Sequence, residues 1–249
     1  MNSGINQAYS LENNAVLLTD IHTIGSALVI APHPDDESLG CGGTIAQLRA
    51  MGYAVHVVFV SDGTMSHPNS IAYPANRLRD LRESEARDAL QILGVEAGAC
   101  TFLRFRDRDV PGKDSPGFLE AATVLASLID RLKPSTVFVP WRRDPHPDHR
   151  SSWQILNEAR QYSHWQPRVL EYLIWLWELG TPADMPDPAE VTLWTVPIDA
   201  VLEQRNQAIA AHRSQVTRLI DDDPTAFYLS PELLTHFDRP RELFLESLT

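Results

Sequence analysis

The chain has 249 residues, 43% of them hydrophobic, which is enough apolar material for one folded α/β domain and too much for a disordered chain. Its 21 Lys and Arg against 33 Asp and Glu leave a formal net charge of −12, which disfavours nonspecific binding to nucleic acid or to anionic membranes. Two cysteines, Cys41 and Cys100, without a CxxC pair exclude a disulfide framework and a cysteine-based zinc site. With no secretory signal pattern and no apolar run of about eighteen residues, a soluble cytoplasmic protein without a membrane anchor is expected.

Residues 1–24 are weakly patterned and read as an N-terminal arm, flexible or packed as an edge element. An α/β core over 25–165 and an extension of the same domain over 166–249 follow. Residues 26–31 form an apolar, β-branched run that predicts a strand. A glycine-rich turn, Gly40-Cys41-Gly42-Gly43, leads into a helix over 39–51, and a second apolar strand covers 54–60. That unit is a βαβ crossover, right-handed in nearly all proteins.

Helical spacing returns over 77–93, with Leu78, Leu81, Ala86, Ala89, Leu90 and Leu93 on one side and Gly94 as the stop. A short strand at 100–103 runs into a charged loop over 104–109. A helix over 117–132 stops before Pro134, and a buried strand at 136–139 precedes a helix over 148–161. After that the pattern changes. Residues 169–178 read as an aromatic strand, 180–190 as a loop, 191–196 as a strand, 201–211 as a helix, and the stretch from Pro224 is mixed. The alternation predicts an α/β, Rossmann-like doubly wound, mostly parallel sheet with helices on both faces, plus C-terminal edge strands and a helix walling the pocket.

Two stretches carry the chemistry. The first strand runs into Pro32-His33-Pro34-Asp35-Asp36-Glu37, and the strand at 136–139 leads to His146-Pro147-Asp148-His149. In open α/β folds ligands bind at the carboxyl ends of strands, so both stretches belong to one edge. Four titratable groups within five residues repel and desolvate one another unless a cation compensates, and a divalent metal is the simplest such cation. His33 and Asp36, three apart across a turn, join His149 to give two imidazoles and a carboxylate with one position left for water. That is the pattern of a catalytic zinc site, and it also suits ferrous iron. Asp35 is then the candidate general base, His146 the donor to an oxyanion or a leaving amine, and Asp148 the partner that orients an imidazole.

These residues specify a hydrolytic metal site but no substrate. A phosphoester, another amide or ester, and non-catalytic sugar binding on the same fold all stay open, although paired metals would suit phosphoester chemistry better than the single set counted here. A dinucleotide site is excluded, because Gly40-Cys41-Gly42-Gly43 lacks the G-x-G-x-x-G spacing and the acidic run repels a pyrophosphate.

The first motif with Leu39-Gly40-Cys41-Gly42-Gly43, then Val60-Ser61-Asp62-Gly63, the stretch 82–95, the His146 motif and residues 210–215 together resemble the zinc-dependent PIG-L/LmbE-type N-acetylglucosamine deacetylase family. The resemblance implies zinc on His33, Asp36 and His149, with Asp35 as base and His146 stabilising the tetrahedral intermediate. It implies Arg82 and Asp107 as sugar contacts and a small acetylated amino sugar as partner, and it leaves a homo-oligomer open, with the aromatic segment 172–177 serving an interface or the core. One departure stands out. Some relatives carry a tyrosine just ahead of the second His motif, where this chain has Trp141-Arg142-Arg143-Asp144-Pro145. Trp141 is therefore expected to stack on a sugar face, and Arg142 or Arg143 to meet an anionic group. His212 is read as a site residue or as packing.

Overall fold

Side chains alternate so regularly across the central strands that one sheet serves two cores. Strand β2 (Ala27–Ala31) sends Ala27, Val29 and Ala31 to one face and Leu28 and Ile30 to the other, all buried. Strand β3 (Val55–Ser61) repeats this, with Val55, Val57 and Phe59 on the first face and Val58 and Val60 on the second. Strands buried on both sides belong to a parallel sheet covered by helices above and below. Helices α1 (Asp36–Ala50), α2 (Ala75–Ile92) and α6 (Leu202–Ala211) cover the first face through residues such as Ile45, Ala89 and Ala208. Helices α3 (Phe118–Leu132) and α4 (Pro147–Tyr162) cover the second through Leu125, Ile129, Ile155 and Leu156.

The computed structural model describes residues 11–248. The remaining strands are β1 (Val16–Leu17), β4 (Cys100–Phe105), β5 (Thr136–Pro140), β6 (Arg168–Tyr172), β7 (Val191–Pro197) and β8 (Arg241–Ser247). The sheet order is β1-β7-β8-β6-β5-β2-β3-β4. Every pairing is parallel except the two that β8 makes with β6 and β7. The chain winds outward from β2 to β3 and β4, then returns to β5 on the other side of β2. That reversal opens a crevice at the carboxyl ends of β2 and β5, where doubly wound folds bind ligands.

The C-terminal third departs from the sequence reading in detail. The segment read as a strand over 169–178 leaves the sheet after Tyr172 and turns into the short helix α5 (Leu176–Leu179). The Asp144 carboxylate draws it out by accepting the Trp175 backbone N–H at 3.0 Å. Tyr172, Leu173, Ile174, Leu176 and Trp177 are buried within the chain's own core, which answers whether this aromatic segment packs inside. The stretch from Pro224 resolves into helix α8 (Pro231–Leu234) and β8, after the short α7 (Arg213–Val216). Within the expected N-terminal arm, residues 11–24 add β1 parallel to β7 and bury Leu18 and Ile24, while residues 1–10 lie outside the described residues. Among the described residues no helix is long and apolar enough to cross a membrane.

Helix α1 begins at Asp36, before the glycines rather than after them, and bends at Cys41 (φ −150°, ψ 19°). The bend exposes fresh N–H groups, which need acceptors. Glu242 on β8 supplies them, taking Gly43 N at 2.7 Å, Thr44 N at 2.8 Å and Thr44 Oγ1 at 2.6 Å. Gly40 packs where a Cβ would lie 2.2 Å from the Tyr172 ring, so only glycine fits.

Candidate active site

The turn after β2 is built under strain. Asp35 stands at φ 134°, a conformation that non-glycine residues hold only when their surroundings impose it. Its N–H donates to Glu37 Oε2 at 3.0 Å, and Glu37 is itself fixed by the Ser38 hydroxyl at 2.6 Å and by His212 Nε2 at 3.0 Å. Burial pulls the His212 imidazole down, but the Glu37 carboxylate outweighs it and holds it above its ordinary range. His212 therefore acts on the site through Glu37, a partner 175 residues away in sequence.

Three imidazoles meet at the crevice. Ring centroids of His33 lie 4.8 Å from His146 and 5.4 Å from His149, and His146 lies 5.1 Å from His149. Asp36 Oδ2 sits between two of them, 3.2 Å from His33 Nδ1 and 3.3 Å from His149 Nε2. Two ligands of a tetrahedral metal, each bonded at ~2.0–2.1 Å, stand about 3.3 Å apart. His149 is fully buried, yet neither of its ring nitrogens makes a hydrogen bond, although Asp144 Oδ1 stands 3.3 Å from Nδ1. Buried imidazole nitrogens that face carboxylate oxygens at 3.3 Å without an aligned hydrogen bond suit a cation held between them.

Two donor sets lie close enough together to hold an ion, His33 with His146 and His149, and His33 with Asp107 and Asp148, and Asp36 belongs to neither. The two carboxylates are otherwise engaged. Asp148 accepts Arg108 N at 2.7 Å and stands 3.2 Å from His33 Nε2, and Asp107 accepts Met65 N at 2.9 Å and stands 3.2 Å from the same nitrogen. They orient the outer edge of the His33 ring while its Nδ1 faces Asp36. Asp148 thus meets His33, and Asp107 joins it there.

The electrostatics suit a cation. Burial lowers His33, but Asp107, Asp148 and Asp36 lift it well above its ordinary value. Burial likewise lowers His149, and Asp36 and Asp144 raise it to about 9. Burial pushes Asp36 up, but the two imidazoles hold it well below the usual carboxylate range. Protons and metal ions compete for such nitrogens. Asp35 differs from Asp36, because burial lifts it to about 6 even though the Arg82 guanidinium lies beside it. His146 is lowered to about 4 by burial and by the charge on its neighbouring imidazoles, so it is neutral near pH 7. Its Nδ1 accepts the Asp148 N–H at 3.2 Å as the cap of α4, which leaves the proton on Nε2.

A cavity of about 440 Å³ lies over this cluster, lined by His33, Asp35, Asp36, Arg82, Asp107 and His146 among others. Arg82 reaches it from a buried position, donating to Gly63 O at 2.7 Å, Pro34 O at 2.6 Å and Asp35 Oδ2 at 3.0 Å, so it holds Asp35 as well as facing the cavity. Gly63 admits it, since a Cβ there would lie 2.5 Å from the guanidinium.

Trp141 is a correction. It is fully buried, its indole N–H donates to Asp184 O at 2.7 Å, and it does not line the cavity, because β5 points it into the core. Trp175 takes the cavity wall instead. Arg142 and Arg143 also turn away, pairing with Glu171 at 3.0 Å and Glu190 at 2.8 Å. Asp144 went unremarked in the sequence although it touches the His149 ring, His146 N and Trp175 N; an aspartate in a Trp-Arg-Arg-Asp-Pro loop carries no local sign of that role.

A family model described as PIG-L, GlcNAc-PI de-N-acetylase, matches residues 28–159, which span both histidine stretches. The chain is 28% identical over 239 aligned residues to a 1D-myo-inositol 2-acetamido-2-deoxy-alpha-D-glucopyranoside deacetylase of Rhodococcus jostii, covering 76% of this chain and 81% of that one. It is 27% identical over 199 residues to a probable N-acetyl-alpha-D-glucosaminyl L-malate deacetylase 2 of Bacillus cereus, covering 78% and 86%. Among solved structures it is similar to the N,N'-diacetylchitobiose deacetylase of Pyrococcus horikoshii, with a TM-score of 0.60, 25% identity, and coverage of 84% of this chain and 79% of that one.

Proposed function

Because the chain belongs to the PIG-L family of GlcNAc-PI de-N-acetylases, we propose that it is a metal-dependent amidohydrolase removing the acetyl group from an N-acetylglucosamine-type sugar. The observation that carries this reading is Asp36 Oδ2 standing between His33 Nδ1 and His149 Nε2, the latter facing it at 3.3 Å without an aligned hydrogen bond. His33, Asp36 and His149 are the ligands, and zinc fits their donor set. When bound, the ion would polarise the acetamide carbonyl and acidify a water.

The chain's own groups do the rest. Asp35, raised to about 6, is matched to accept a proton near neutral pH and to release it again. Arg82 holds that carboxylate, and the Glu37–His212 pair holds its backbone. His146, with its proton on Nε2, donates to the carbonyl oxygen as negative charge develops there. Asp35 then returns its proton to the leaving amine. Asp107 and Arg82, both on the cavity wall, are the candidates for the sugar hydroxyls.

The test is release of acetate and free amine from a panel of N-acetylglucosamine compounds by metal-loaded and chelator-stripped protein. Release that requires metal is expected. Release unaffected by complete metal removal would overturn the metal's part, and no release from any compound by fully loaded protein would overturn the reaction.

A further inference from the structure

A separate pocket of about 180 Å³ lies on the α3–α4 side of the sheet and shares no lining residue with the histidine cavity. Arg142 from the loop after β5, Trp153, Asn157 and Arg160 from α4, and Glu171 from β6 line it, with Leu156 and Val169 as its apolar side. His149 opens α4 and Arg160 lies near its end, about 16 Å further along the axis at ~1.5 Å per residue.

The charges in this pocket do not balance. Glu171 is the one carboxylate lining it, and Arg142 engages it twice. The Arg142 backbone N–H donates to Glu171 Oε2 at 2.8 Å, and its Nη2 lies 3.0 Å from Oε1. Arg160 is left over. Its half-buried guanidinium makes no ion pair among the described residues, and its buried Nε has no hydrogen-bond acceptor. Arg142 Nε is likewise buried without an acceptor. Burial lifts Glu171 to about 7, so near neutral pH even this carboxylate carries only part of a charge. A chain of net charge −12 thus keeps a small pocket with an excess of positive charge. Guanidinium groups held out of water lose solvation unless an anion replaces it, and their planar donors match carboxylate and phosphate oxygens in pairs.

We propose that this pocket binds a small organic anion, its carboxylate or phosphate group held between Arg142 and Arg160 and its hydrocarbon against Leu156, Val169 and the Trp153 ring. Asn157 adds an amide at the exposed rim. Arg142 belongs to the loop that carries Asp144, and α4 carries His149, so an occupant ties together the two elements that meet at that imidazole. Neither the pocket nor its charge depends on the reaction at the histidines.

The test is calorimetric titration of the intact protein, at constant ionic strength, with inorganic phosphate, phenyl phosphate, benzoate and the neutral benzamide. Phenyl phosphate or benzoate should bind at one site per chain, and benzamide at least about tenfold more weakly. The tighter of the two anions identifies the head group. Arg160→Gln removes a charged donor and Asn157→Asp adds a facing negative charge, so each should weaken that binding about tenfold or more. Should Arg160→Gln fail to fold, Asn157→Asp, at an exposed helical position, decides alone. Absence of anion binding at millimolar concentration would overturn the site. So would equal affinity in the parent and the variants, which would place the anion elsewhere, or benzamide binding as tightly as benzoate. Inorganic phosphate binding as tightly as phenyl phosphate would overturn the hydrocarbon's part.

Discussion

Replacing Asp35 by Asn separates what this carboxylate does for the reaction from what it costs the fold. The amide keeps an oxygen for Arg82 Nη2, which donates at 3.0 Å, and Arg82 stays fixed by Gly63 O and Pro34 O. The shape of the site persists and only the base is lost. A positioned general base contributes ~10²–10⁴-fold, so kcat should fall by that factor, equal to about 3–5 kcal/mol of barrier. Stability should move the other way. Burial raises Asp35 from 3.8 to about 6 in the folded protein, against the pull of Arg82. An acid raised in this way favours folding below its unfolded value and loses that contribution as pH rises through its folded value. At pH ~8 the ionised carboxylate thus costs the metal-free fold up to about 3 kcal/mol, a cost that Asn escapes. The assays are acetate release by zinc-loaded protein of measured metal content, and urea unfolding of the metal-free protein. Activity within about tenfold of the parent at equal metal content would refute the base. A variant less stable than its parent would refute the burial penalty.

Gly40→Ala sets a Cβ 2.2 Å from the Tyr172 ring, which is fully buried and tethered by its hydroxyl to Ile30 O at 2.7 Å. Overpacking of this kind should cost at least about 1–3 kcal/mol, and an unchanged Tm in thermal unfolding would mean the ring yields. Glu171 gives the fold its own pH dependence away from the histidines. Burial lifts its carboxyl from 4.5 to about 7 although Arg142 opposes the rise. Stability present below the lower value should drain away as pH rises through about 7, by roughly 3 kcal/mol at most, and Glu171→Gln should flatten that slope in urea unfolding. An equal slope in the variant would assign it to other groups.

The parallel sheet was legible because its strands are buried on both faces and read as unbroken apolar runs, each followed by a helix with its own stop. The meeting of His33 with His146 and His149 was legible for the same reason: each stretch lies in the connection from such a run to the next helix, and doubly wound sheets bring carboxyl ends together. What the sequence concealed depends on partners far apart. Which tryptophan faces the cavity is decided when Asp144 hooks the Trp175 N–H and β5 buries Trp141, and neither event leaves a local pattern. Arg82 resembles any helix-surface arginine until Gly63 and Pro34 turn their carbonyls towards it. Glu37 looks like a charge at a helix start, where acidic residues are common anyway, and only His212 reveals its job.

Strand β8 lies between β6 and β7, although it is the latest strand in the described sequence. A nascent chain emerges from its N-terminal end, so β6 and β7 leave the ribosome with no neighbour between them. Both facing edges stay unpaired until residues 241–247 have been synthesised, and unpaired edges in a half-made chain invite aggregation. The bend in α1 waits as well, since Glu242 supplies its acceptor. The histidines can all be translated while the helix behind Asp36 still lacks its anchor. The crevice is therefore completed late in synthesis, and a ribosome stalled before residue 241 would display His33, Asp36 and His149 without the scaffold that aims them.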